Sequence, residues 1–178
     1  MKRALVLLAC LLLITACGGG DPEGTPERTT TPPGNGEPMR TLTEEEAAQR
    51  AEQHIRRAVA ALPEKPTLTV QYADSAECLD PTDNGPRGRY QVGKTYWLDG
   101  VPSERNEEFV DALYDYWVSH GFRILTDKRS ESDRFVSVEN DDDAFRMSVK
   151  QSVEGDLSLG ASSPCVWPNG TPPEGAGE

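Results

Sequence analysis

The sequence predicts an α+β fold. Two helices should lie on one face of a mostly antiparallel sheet of about six strands, in the order α-β-β-α-β-β-β-β. Three observations carry this expectation. Two stretches repeat apolar residues at helical spacing, between capping and stop signals. Six shorter runs alternate apolar with polar residues, the period of a strand with one buried face. The chain has 178 residues, enough for one ordinary domain with flanking tails. Two amphipathic helices and a set of one-faced strands bury most simply as a two-layer sandwich.

The first helix should begin at Thr43. Thr43-x-x-Glu46 reads as a capping box, in which the hydroxyl takes an orphan amide and Glu46 reaches back. Leu42 can staple onto Ala47. Ala51, Ile55, Ala58, Val59 and Leu62 then form one apolar stripe, opposite Glu52, Arg56 and Arg57, and Pro63 ends the helix. The first strand is expected over residues 67–72, where Leu68, Val70 and Tyr72 alternate with Thr67, Thr69 and Gln71. A turn-rich loop, 74–88, contains Cys78. The second strand, 89–98, puts Tyr90, Val92, Tyr96 and Leu98 on one side and Trp97 on the other.

After the Asp99-Gly100 turn, Ser103 is the expected N-cap of the second helix. Glu104, Glu107 and Glu108 complement its positive end. Phe109, Val110, Leu113, Tyr116 and Trp117 make its stripe. His120 falls in the last turn, where an imidazolium would complement the dipole, and Gly121 is the stop. The rest reads as a meander of four short strands at 122–127, 134–140, 144–151 and 157–162. If the helices cover Leu68, Val70, Val92, Phe145, Met147, Val149, Leu157 and Leu159, the outer face carries Gln91, Trp97, Arg123, Arg146, Ser148, Lys150 and Ser158. That would be a basic, hydroxyl-rich surface with one large aromatic.

The two ends differ from this middle. Lys2-Arg3 precedes an apolar run from Ala4 to Ile14, too short to span a bilayer as a permanent helix. Ile14-Thr15-Ala16-Cys17 closes it and Gly18-Gly19-Gly20 follows. The pattern of an aliphatic residue, two small residues and a cysteine resembles the lipobox of bacterial secreted lipoproteins. The resemblance covers residues 1–17. It implies a signal peptide at 1–16, cleavage behind Ala16, and a diacylglyceryl thioether on Cys17. The Gly-, Pro- and Glu-rich flanks are similar to those of small lipoproteins from high-GC Gram-positive bacteria. Residues 17–40 hold almost no apolar side chains and read as a disordered tether, reaching roughly 25–30 Å as a flexible coil. Residues 41–167 are the expected domain, and 168–178 a second polar tail.

The formal net charge is −12, and loss of Lys2 and Arg3 with the signal would take it to −14. This balance excludes nucleic acid as an expected partner, since such binding rests on Lys and Arg against phosphates. Of four cysteines, Cys10 falls in the signal and Cys17 in the lipobox. Cys78 and Cys165 remain, and an even pair in an exported chain reads as one disulfide. No CxxC or Cys/His spacing points to a thiol-bound metal.

Few residues suggest chemistry. Asp80-x-Thr82-x-Asn84-Gly85 imitates the first half of a calcium loop, but Gln91 stands at the twelfth position and a turn explains the same residues. Asp141-Asp142-Asp143 reads as a solvated hairpin tip. His54 and His120 are the only histidines, and no GxSxG elbow offers either a nucleophile, so surface and capping roles are expected. Thirty acidic residues always supply carboxylate pairs, which leaves a glycosidase signal empty. No catalytic residue, metal or cofactor is assigned. The expectation is a lipid-anchored extracytoplasmic binding or assembly module, held to the outer face of the cell membrane through Cys17. Its partner face would be Trp97, Arg123, Arg146 and Lys150, taking an envelope protein or an anionic wall polymer. An envelope hydrolase or metal-dependent accessory enzyme is the alternative; a transporter's solute-binding protein would need two lobes and a longer chain.

Overall fold

Two helices lie on one side of a six-stranded sheet, as the hydrophobic periodicity requires. The structure is a computed structural model that describes residues 41–79 and 86–174. These belong to one compact unit, Glu37–Glu178. The lipobox cysteine, the tether at 17–40, the calcium-loop imitation at 80–85 and the last four residues lie outside the described residues.

The elements run α1 (Glu44–Ala60), β1 (Thr67–Glu77), β2 (Tyr90–Asp99), α2 (Asn106–Ser119), β3 (Phe122–Asp127), β4 (Phe135–Asn140), β5 (Arg146–Gln151) and β6 (Leu157–Ser162). The sheet order is β1-β2-β6-β5-β4-β3, and every neighbouring pair is antiparallel. The chain thus lays down one edge and crosses through α2 to the far edge. From there it meanders back until β6 closes against β2. α1 packs on β2 and β6, and α2 on β3, β4 and β5. Trp117, Phe109, Ile55, Leu113, Met147 and Leu159 are fully buried between the layers. Each such side chain contributes about 1.5–3 kcal/mol relative to exposure.

The predicted capping box is present: Thr43 Oγ1 accepts from the Glu46 amide at 3.1 Å, and Glu46 Oε2 accepts from the Thr43 amide at 2.9 Å. The predicted disulfide is also present. Cys78 and Cys165 are bonded with Cα atoms 6.2 Å apart, joining the end of β1 to the segment after β6.

Four expectations are corrected. Val70 is expected under the helices but is 55% exposed. It faces the helix layer, opposite Tyr96, yet β1 is the edge strand and α1 lies over β2 and β6. A bulge between Val70 and Tyr72 then turns Tyr72 onto the opposite face, opposite Thr95, so the two residues do not share a side. Ser103 caps nothing. It opens a single 3₁₀ turn, Ser103–Arg105, and α2 starts at Asn106 without a side-chain cap. Asn106 is itself buried, and its Nδ2 donates to the Gly155 carbonyl at 2.6 Å. Finally, hydrogen bonding continues past Trp167. The Thr41 amide donates to Gly170 O at 2.7 Å and the Glu44 amide to Pro168 O at 3.3 Å, so residues 168–170 pin the chain entering α1 and serve one orphan donor at its start.

The fourth correction concerns His54 and the acidic turn. His54 is buried rather than at the surface, because position 54 lies within the stripe of Ala51, Ile55 and Ala58. Its ring packs against Phe145 at 5.3 Å and edge-on against Phe122 at 5.6 Å. Its Nε2 lies 2.9 Å from Asp143 Oδ2, which also accepts from Arg50 at 3.3 Å. Asp143 is therefore a link between α1 and the β4–β5 turn, not a free carboxylate. Asn140 Oδ1 accepts from the Asp142 and Asp143 amides and shapes that turn.

Candidate functional site: the open face of the sheet

The register places the predicted partner-face residues on the side away from the helices. Trp97 stands opposite Ser158 on β6, and Ser158 opposite Lys150 on β5. Lys150 in turn stands opposite Phe135 on β4. Arg146 pairs with Glu139 on β4, and Glu139 with Arg123 on β3. Two rows therefore run across the strands, one of Trp97, Ser158, Lys150 and Phe135, the other of Gly93, Ser162, Arg146, Glu139 and Arg123. Arg146 and Lys150 are four residues apart on one strand, about 13 Å. Trp167 lies beside Gly88, just before the start of β2, whereas Trp97 is near the end of that strand.

The basic surface expected from the sequence is charge-balanced at one end. Glu139 accepts from Nη2 of Arg123 and, at 2.7 Å, from Nε of Arg146; Asp141 accepts from Arg123 Nη1 at 3.3 Å. The Arg146 hydrogen bond, helped by Arg123 and opposed by burial, holds the Glu139 carboxyl below its ordinary range. Lys150 differs. Among the described residues its ammonium has no carboxylate partner within ion-pair distance.

Between the two rows lies a third, which sequence reading missed. Thr95, Gly160, Ser148 and Ser137 follow one another across β2, β6, β5 and β4. They floor a transverse groove of about 450 Å³, with Tyr72 at the β1 end, Leu125 and Phe135 at the other, and Arg146 on its side. Two close approaches keep the floor low. A Cβ on Gly93 would stand 2.9 Å from Cε1 of Tyr72, and one on Gly160 would stand 2.8 Å from Oγ1 of Thr95. Trp97, Lys150 and Ser158 border a second depression of about 630 Å³, which continues toward Val153 and is lined by Asp133 and Glu154 as well. Tyr72 escaped notice because only the bulge brings it to this face. The Ser/Thr/Gly content of strands 137, 148 and 160 was readable, but their alignment depends on register.

On the helix side, Glu52 accepts from Lys94 Nζ at 2.8 Å, Tyr96 Oη at 2.8 Å and Arg56 Nε at 2.6 Å. Burial pushes its carboxyl up, but these three donors outweigh it and hold the group below its ordinary range. This cluster ties α1 to β2. His120 Nδ1 lies 2.7 Å from the Tyr116 carbonyl, a cap on the end of α2, and stacks on the Tyr116 ring. Among the described residues no three His, Cys, Asp or Glu side chains stand together so as to hold a metal ion. No described helix is long and apolar enough to cross a membrane.

No family model matches the sequence, no curated protein matches it, and no solved structure matches the fold.

Proposed function

We propose that this chain is a lipid-anchored extracytoplasmic binding module whose working surface is the open face of the sheet. The observation that carries the reading is the asymmetry of that sheet. One face is sealed under two helices, and the other is left uncovered with a floored groove and grouped aromatics and cations. The lipobox pattern at Cys17 supports an anchor, the Gly/Pro/Thr segment that follows supports a spacer, and the Cys78–Cys165 disulfide fits an oxidising compartment. A lipid anchor and spacer would hold the groove at the cell envelope, where an envelope protein or an anionic wall polymer is within reach.

A photo-crosslinking amino acid placed at Ser148 in the anchored protein tests this, with Arg57 on the solvent side of α1 as the control position. Capture at Ser148 and not at Arg57, lost when Cys17→Ala releases the chain, is the expected result. Equal capture at both positions, or none at Ser148, overturns the open face as the working surface. Palmitate labelling that survives Cys17→Ala overturns the anchor.

A further inference from the structure

The chemistry of the groove narrows the ligand. Resting on the reading of the open face as the working surface, we propose that the transverse groove binds an acidic polysaccharide chain laid across the strands.

Backbone pairing comes first. β2, β6, β5 and β4 are each hydrogen-bonded on both edges, so the floor has no free strand edge for an extended peptide to pair with. It offers side chains alone. Among the described residues, the hydroxyls of Thr95, Ser137, Ser148 and Ser162 have no protein partner, and each brings a donor and two acceptor sites. A ligand dense in hydroxyls matches such a row.

The flanks supply the apolar half of the match. Tyr72 is half exposed with its ring edge over Gly93, and Phe135 and Leu125 stand at the other end. Pyranose rings present flat C–H faces alongside polar edges, and aromatic rings take such faces well. The strands are spaced by about 4.8 Å, so the floor from Tyr72 to Ser137 crosses four intervals, about 19 Å. That spacing is close to the repeat of an extended pyranose chain.

Charge selects an acidic polymer. In a chain of net charge −12, the residues lining the groove include Arg146, whose Nε is held by Glu139, and not one Asp or Glu. Lys150 stands in the neighbouring row, at the border of the second depression that Asp133 and Glu154 also line, with no carboxylate within ion-pair distance among the described residues. A neutral glycan would leave Lys150 unused, whereas a carboxylate on alternate sugars would meet it.

The test uses the full chain purified in detergent and two probes: a hexasaccharide of alternating glucuronate and N-acetylglucosamine, and neutral chitohexaose. Binding is read from Trp97 fluorescence, with Trp97→Phe as the blank. The acidic hexasaccharide should bind at least about tenfold more tightly than the neutral one, the value of one charge-assisted hydrogen bond. Lys150→Gln, at an exposed site, should remove that preference, and Ser148→Tyr should block both sugars by filling the groove. Equal binding of the two probes, or a preference that survives Lys150→Gln, overturns the proposal. If neither sugar binds while Ser148 still captures a partner in cells, the polysaccharide proposal falls and the open-face reading stands. If both experiments are negative, both fall.

Discussion

On the helix side of the sheet, Val136, Val138, Met147, Val149 and Leu159 are sealed beneath α1 and α2. On the opposite side the same strands carry Ser137, Ser148, Lys150 and Gly160. The two sets alternate along the same three strands, β4, β5 and β6, yet they answer to different demands. The covered residues hold the fold through buried apolar area. On the open side Gly160 is buried, Ser137 and Ser148 are half-buried and Lys150 is exposed, and their polar or absent side chains add little apolar burial, so the side chains are free to serve recognition. Stability and binding chemistry are therefore separable by face. The covered face should give the largest effects. Leu159→Ala should cost about 2–5 kcal/mol, while Ser148→Ala should stay within about 0.5 kcal/mol. Urea denaturation of the two variants measures the gap, and comparable losses would break the separation.

The disulfide sits at the rim between the faces, where Cys78 and Cys165 border a depression of about 550 Å³ beside Gln91 and Arg146. It closes a loop of 87 residues. Cys78→Ala with Cys165→Ala should lower stability by about 2–4 kcal/mol, chiefly by freeing the unfolded chain. Denaturation with and without reductant checks this. No loss in the double variant would mean that β1 is held by its pairing with β2 alone.

His54 and Asp143 are the polar exception on the covered side. Asp143→Ala leaves a buried imidazole without its partner and should cost about 1–3 kcal/mol. The double variant Asp143→Ala with His54→Leu should recover part of that loss, because it removes the stranded group as well. Thermal unfolding of the two proteins decides it. If the double variant is no more stable than Asp143→Ala, the loss comes from the turn and not from His54.

Local signals settled most of the architecture. Helical spacing, the Thr43–Glu46 box, Gly121 and strand alternation are written within a few residues of one another, so the element order and the covered face could be read directly. What failed depended on neighbours distant in sequence. Val70 alternates like a covered residue, but whether α1 reaches it depends on the strand order. Glu139 lies 16 residues from Arg123 and seven from Arg146, and only the β3–β4–β5 register joins them into one cluster. Composition showed the basic residues of this face and hid their counter-charge. The groove floor failed for the same reason, since Thr95, Ser137, Ser148 and Gly160 belong to four strands. His54 was different: its place in the Ala51–Ile55–Ala58 stripe was visible, and the spacing could have outweighed the polarity of the side chain.

The smallest expected effect compares one carboxylate on each side. Glu52 ties α1 to β2 on the covered side, and Glu139 bridges two arginines on the open side. Both are held below their ordinary range against burial, Glu52 by Lys94, the Tyr96 hydroxyl and Arg56, and Glu139 by Arg146 and Arg123. A carboxyl lowered in the folded state binds fewer protons there than in the unfolded chain. Stability from both groups is therefore present above the unfolded value of about 4.3 and is lost as pH falls through the folded values. The melting temperature should fall with acid from about pH 5 downward, and Glu52→Gln and Glu139→Gln should each flatten the slope. Because Glu139 acts on the open face, its variant should also free Arg146 and strengthen binding of an acidic chain, whereas Glu52→Gln should leave binding unchanged. A melting series across that pH range, paired with one titration at neutral pH, reads both properties. If Glu52→Gln altered binding as strongly as Glu139→Gln, the two faces would be coupled through the sheet and not independent.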